Sequence, residues 1–211
     1  AGTTLLLNPG GRGKLIWSPD FSREAFPALD ISPQDNLRPS PDADNDGGLT
    51  CQGDGPCRYT ARFVSALPVK RVRLEWYPRV VADPSGKNRV RLSYSTDEGK
   101  TFLALEDFGG DGSGKWTRMF GKHARELVFG QPVNHFLLRF ELSGEDAQLW
   151  SHRRVLDRMW LEADLDARSV RPPVLPGGAY ALTLGGPPGN NLEVAFSADP
   201  IPLSDAIKDW R

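Results

Sequence analysis

Apolar and polar residues alternate strictly through the middle of the chain. In residues 89–94 (RVRLSY), Val90, Leu92 and Tyr94 fall on one side and Arg89, Arg91 and Ser93 on the other. That is the period-two pattern of a half-buried strand. Residues 95–100 break it, with Asp97 and Gly99 where a tight turn needs them. Thr101, Phe102, Leu103 and Leu105 then begin a second strand, so the segment predicts a β-hairpin. The same alternation recurs in residues 58–64, with Tyr59, Ala61 and Phe63 together, and in residues 69–77, with Val72, Leu74 and Trp76 together before Pro78 ends or edges the strand. Residues 135–142 put Phe136, Leu138, Phe140 and Leu142 inward, and residues 158–165 do the same with Met159, Leu161, Ala163 and Leu165. Shorter strand candidates are residues 3–8, stopped by PGGRG, and 126–129, 180–184 and 191–196. A helical stripe is missing, with residues 202–210 the one short candidate.

Strand-like runs separated by turn signals predict an all-β fold, an antiparallel β-sandwich of jelly-roll-like kind with a long loop-rich N-terminal segment. The sandwich domain is expected over residues 1–168, its core at about 50–166. Residues 17–56 carry little periodicity and several prolines, and a loop of that length is functional, covering or disordered. From Arg171 the run RPPVLPGG reads as a stiff connector. The tail, residues 169–211, then either completes the sheet, starts a second module or pairs with another chain by strand addition.

Composition narrows the class. The 22 glycines and 18 prolines together make about a fifth of the 211 residues, which suits a loop-rich β protein. No apolar run approaches the ~20 residues of a membrane span. A net charge of −1 removes the blanket electrostatic case for nucleic acid. The chain begins at Ala1 rather than Met, as expected of a mature form after signal removal or of a trimmed chain. Cys51 and Cys57, in TCQGDGPC, are spaced to close a short disulfide loop, which implies a secreted or extracytoplasmic setting. A free pair or half a metal site is the alternative, although no second pair or nearby His completes zinc spacing.

Three segments resemble known motifs. Asp42-x-Asp44-x-Asp46-Gly47 matches the first half of an EF-hand-type loop and is similar to the calcium loops of dockerins and thrombospondin-type repeats. It makes Asp42, Asp44 and Asp46 candidate ligands for a structural Ca2+, against a plain polar loop tip. Gly53 stands where the bidentate Glu is expected, with Asp54 following. Residues 109–115 fit Gly-x-x-x-x-Gly-Lys, but Trp116 replaces the Ser or Thr that would hold magnesium and no helix follows. Ser95-x-Asp97-x-Gly99-x-Thr101-Phe102 resembles the Asp-box turn of secreted sialidase-like propellers and their companion sandwich domains. That resemblance implies a structural turn, its Asp bonded to backbone and its aromatic ring packed beneath. It occurs once, which argues against a propeller.

The side chains opposite the apolar stripe are the candidate binding surface. They are Arg58, Thr60 and Arg62; Arg71, Arg73, Glu75 and Tyr77; Arg89, Arg91 and Ser93; His135, Arg139 and Glu141; and Trp160, Glu162 and Asp164. Sugars stack their apolar faces on Trp or Tyr and accept fork-like hydrogen bonds from Arg. The ligand-binding set is therefore Trp160, Tyr77, Arg73, Arg91 and Arg139, with the loop residues Trp116 and Trp150 as a second platform. A solvated outer face of ion pairs is the bland alternative.

His123, His135 and His152 lack metal-ligand spacing, and there is no Gly-x-Ser-x-Gly elbow. Glu162 and Asp164 share a strand face about 6–7 Å apart, as compatible with ion pairing or calcium as with catalysis. With FLLRFELSG and RMWLEADLD, the strand order resembles the non-catalytic β-sandwich modules of secreted bacterial polysaccharide-active and sialidase-like proteins, over about residues 50–166. The resemblance implies a carbohydrate-binding role, a polysaccharide or glycan as partner and a neighbouring catalytic domain in a larger protein. Two alternatives stand beside it. One is a sandwich-fold glycoside hydrolase or polysaccharide lyase, or a fragment of one; the other is a structural or adhesion subunit assembling through its tail.

Overall fold

The computed structural model describes residues 2–8, 12–41, 47–53, 55–82, 86–109, 117–153, 157–166 and 191–196. The regular elements there are strands, apart from two short 3-10 turns at Phe26–Ala28 and Pro33–Asp35. In chain order the strands are β1 (Gly2–Asn8), β2 (Arg12–Ser18), β3 (Leu37–Pro39), β4 (Gly48–Cys51), β5 (Cys57–Ala82), β6 (Arg89–Ser95) and β7 (Leu103–Gly109). They continue with β8 (Thr117–Phe120), β9 (His123–Ser143), β10 (Ala147–Trp150), β11 (His152–Arg153), β12 (Asp157–Arg158), β13 (Trp160–Asp166) and β14 (Asn191–Phe196). The protein is an all-β sandwich. Its pairings over the described residues are antiparallel except that of β14 with β1.

Two long strands organise it. β5 and β9 pair from Cys57↔Leu142 through Trp76↔His123, with the register shifting between Val64 and Arg71. Pro68 falls in that interval, and Gly130 and Pro132 fall opposite it. Proline brings no N–H to a ladder, so the ribbon bends there instead of running on flat. Each long strand thereby serves two layers, the way strands turn corners in sandwiches. One layer runs β7-β6-β9-β5, using the first part of β5 and the last part of β9. The other carries the middle of β5 on to β13, β2 and β1. The end of β5 pairs with β10 on one edge and β8 on the other, and β10 leads on to β4 and β3.

The core lies between the layers. Phe136, Leu138, Phe140 and Leu142 of β9 are buried, as are Met159, just before β13, and Leu161, Ala163 and Leu165 within it, as their alternation predicts. Phe63 stacks on Phe136 with centroids 4.6 Å apart, while Trp17 meets Phe63 edge-on at 5.2 Å across the layers. Burying each such side chain stabilises the fold by about 1.5–3 kcal/mol.

Two contacts fasten the loop-rich N-terminal segment. Phe21 is fully buried and meets Tyr59 edge-on at 5.0 Å. Burial there raises the Tyr59 phenol above its ordinary pKa, and the charge of Asp30 raises it further. Ser151 Oγ accepts from Phe21 N–H at 3.0 Å and donates to the Gly47 carbonyl at 3.1 Å. A Cβ on Gly47 would lie 2.5 Å from Ser22 N, so glycine is required there by close backbone approach. Cys51 and Cys57 form the disulfide, Cα atoms 5.3 Å apart, joining β4 to the start of β5.

The tail contributes β14, which lies parallel to β1 from Gly2↔Asn191 to Leu7↔Phe196. The strand candidate at 180–184 and the helical candidate at 202–210 lie outside the described residues. No helix among the described residues is long and apolar enough to cross a membrane.

Candidate functional site

Because β5 and β9 bend between layers, the single outer face read from the sequence becomes two. Arg71, Arg73, Glu75, Trp160, Glu162 and Asp164 sit on the layer built from β5, β13 and β2. Arg58, Thr60, Arg62, Arg89, Arg91, Ser93, His135, Arg139 and Glu141 belong to the β5-β9-β6-β7 layer. Arg73 and Trp160 are therefore not neighbours of Arg91 and Arg139.

On the first face the register stacks Trp160 against Glu75, Glu162 against Arg73 and Asp164 against Arg71. Arg71 reaches Asp164 at 2.6 Å and Glu126 at 3.6 Å. The hydrogen bond to Asp164, then that residue's charge, raises the guanidinium pKa further. Glu162 is buried between Lys14, which donates to it, and Arg73 at 3.7 Å; Lys122 closes on Glu75 at 2.5 Å. Exposed pairs of this kind add little stability each, but together they hold their side chains in a fixed array. Trp160 stands half-buried at the end of that array.

On the second face Arg58 pairs with Asp35 at 3.0 Å, and Asp107 takes Arg89 at 2.9 Å and Arg91 at 3.1 Å. Arg139 lies flat on an aromatic ring instead, its Cζ 3.4 Å from the Phe102 centroid. The turn before Phe102 holds that ring in place. Asp97 Oδ1 accepts from Ser95 Oγ at 2.7 Å and from Thr101 N–H at 2.9 Å, while Oδ2 accepts from Thr101 Oγ1 at 2.5 Å. Ser95 Oγ accepts from Gly99 N–H at 2.9 Å, and Gly99 adopts φ +85°, which glycine tolerates without strain. The Thr101 side-chain and backbone bonds, then Ser95, hold the Asp97 carboxyl far below the usual carboxylate range.

Two predicted platform residues are enclosed. Tyr77 is 3% exposed and Trp150 8%, so neither offers a ring face to a ligand. Beyond Trp76 the strand leaves the β13 layer to pair with β10, where Tyr77 lies opposite Trp150 and both sides of the strand are covered. Trp150 Nε1 donates to Gln148 Oε1 at 2.7 Å, and Arg79 lies 5.8 Å from its ring centroid. Trp116, Asp42, Asp44 and Asp46 lie outside the described residues.

One cluster escaped sequence reading. Glu106, its side chain 9% exposed, accepts from Trp76 Nε1 at 3.1 Å and from Arg125 at 2.5 Å, and lies 3.0 Å from His123 Nδ1. A register shift between Leu92 and Ser93 puts Glu106 opposite the buried Leu92, on the core side of edge strand β7. Its partners are 17 to 30 residues away, so no spacing announces them. The cluster ties the two layers together at the open edge of the sandwich.

No protein-family model matches the sequence, and no curated protein matches it. Among solved structures the chain is similar to the enzymatically active domain of bacteriophage CBA120 tailspike protein 4, at 9% identity and TM-score 0.35. That match covers 72% of this chain and 19% of the tailspike chain. It is similar to a family 29 carbohydrate-binding module at 10% identity and TM-score 0.34, covering 80% of this chain and 97% of that one. A third, TmCBM61 in complex with β-1,4-galactotriose, has 11% identity and TM-score 0.29, covering 71% and 96%.

Proposed function

We propose that the protein is a non-catalytic glycan-binding module of an extracytoplasmic polysaccharide-recognising protein. The observation that carries this reading is Trp160, a half-buried indole on a rigid strand beside an ordered row of Arg, Lys, Glu and Asp. An indole face matches the apolar face of a pyranose, and flanking guanidinium and carboxylate groups match its hydroxyls. The carboxylates Glu75, Glu126, Glu162 and Asp164 each hold a Lys or Arg, which supports docking over bond-breaking. The buried disulfide supports an oxidising compartment.

The test is affinity electrophoresis of wild type and Trp160→Ala through gels containing a panel of soluble polysaccharides. Retention by at least one polymer, weakened about tenfold in the variant with an unchanged fold, is the expected result. Equal retention of the two proteins by every retaining polymer would remove Trp160 from the site, and no retention by any polymer would remove the function.

A further inference from the structure

The two outer faces differ in charge balance. Across the Trp160 face, Lys14, Arg71, Arg73 and Lys122 meet as many carboxylates. The opposite face sets Arg58, Arg62, Arg89, Arg91 and Arg139 against Asp35, Asp107 and Glu141, an excess of cations among the described side chains. Asp35 and Asp107 are already engaged by Arg58, Arg89 and Arg91. Arg139 has no carboxylate within ion-pairing distance among the described residues, although it is half-buried.

Its surroundings are built rather than incidental. The guanidinium rests on Phe102, whose position the Asp97 turn fixes. Ser93, directly opposite Arg139 on β6, is 3% exposed, and neither its Oγ nor Arg139 Nε has a hydrogen-bond partner among the described residues. Burial disfavours the Arg139 cation, with Glu141 opposing that effect and Arg58 adding to it. A guanidinium stacked on a ring keeps its planar fork of donors for a carboxylate, which it binds through two parallel bonds.

We propose that this face binds the carboxylate of an acidic sugar, of the uronate class, with Arg139 as its fork and the surplus positive charge of Arg62 and of Arg89 and Arg91, which share one carboxylate, drawing the polyanion in. The inference rests on the glycan-binding reading for its choice of a sugar acid, but it uses a different surface from Trp160.

The experiment pairs polygalacturonate, alginate and hyaluronan each with its carboxyl-reduced counterpart and measures affinity at low and high salt. Wild type should prefer at least one carboxylated member by about tenfold, with the preference shrinking as salt rises. Arg139→Gln should erase that preference, while Arg139→Lys, which keeps the charge and loses the fork, should recover part of it. Wild-type thermal unfolding temperatures in both variants exclude misfolding. Equal binding to both members of each pair would overturn this proposal and leave the glycan-binding reading standing. A preference that survives in Arg139→Gln would overturn the placement, and binding to no member of any pair would overturn the proposal outright.

Discussion

Replacing Glu106 tests whether the polar cluster at the sandwich edge holds the layers together. The carboxylate serves Trp76, whose indole is wholly buried, together with His123 and Arg125. In Glu106→Ala the Trp76 N–H loses its acceptor inside the protein, which costs about 1–3 kcal/mol. The lost contact to the partly buried His123 adds about 1 kcal/mol, and the lost side-chain packing a similar amount. Arg125 is 43% exposed and returns to water at little cost. The expected destabilisation is about 3–5 kcal/mol. Glu106→Gln keeps one oxygen for the indole and should cost about 1 kcal/mol. Urea unfolding followed by near-ultraviolet circular dichroism measures both, and the double-mutant cycle with Trp76→Phe should return a coupling of about 1 kcal/mol. A Glu106→Ala protein within about 0.5 kcal/mol of wild type, or indistinguishable from Glu106→Gln, would refute this account of the cluster.

Two further outcomes follow from the turn and the disulfide. Asp97 has a depressed pKa in the folded state, so the stability it lends the hairpin is fully present above its ordinary value of 3.8 and is lost only as the pH falls well below that. Carboxyl resonances followed by NMR should show Asp97 still ionised at pH 3.8, and a midpoint at or above that value would contradict the hydrogen-bond pattern. Replacing Cys51 and Cys57 by Ser opens a short loop whose closure contributes about 2 kcal/mol on the chain-entropy account. The urea midpoint should fall accordingly, and reduction of the wild type should reproduce the change.

Much of the sandwich is written in alternation, and its gaps have physical causes. The inward rows of β9 and β13 are legible because one side of each strand is core and the other is water. β4 and β10 are buried at every position, so GLTC and AQLW carry no alternation to read. In β2, Leu15 and Trp17 point inward, but Ile16 sits on the polar side and blurs the period. The composition of the outer surface was legible and its division was not. A break in register at Pro68 and Pro132 moves Arg73 and Arg139 to opposite layers, and residue spacing does not encode a fold in the ribbon. Tyr77 shows the same limit, since one residue beyond Trp76 the strand acquires new neighbours and loses its wet side.

The bent β5–β9 ribbon also governs how the molecule comes apart. Because each long strand is shared by floor and roof, neither layer can peel away with its own complement of strands and leave the other intact. Amide protons along Arg58–Val64 and along Arg71–Trp76 should therefore exchange through one common opening. A single backbone nick near Pro68 would cripple both halves at once.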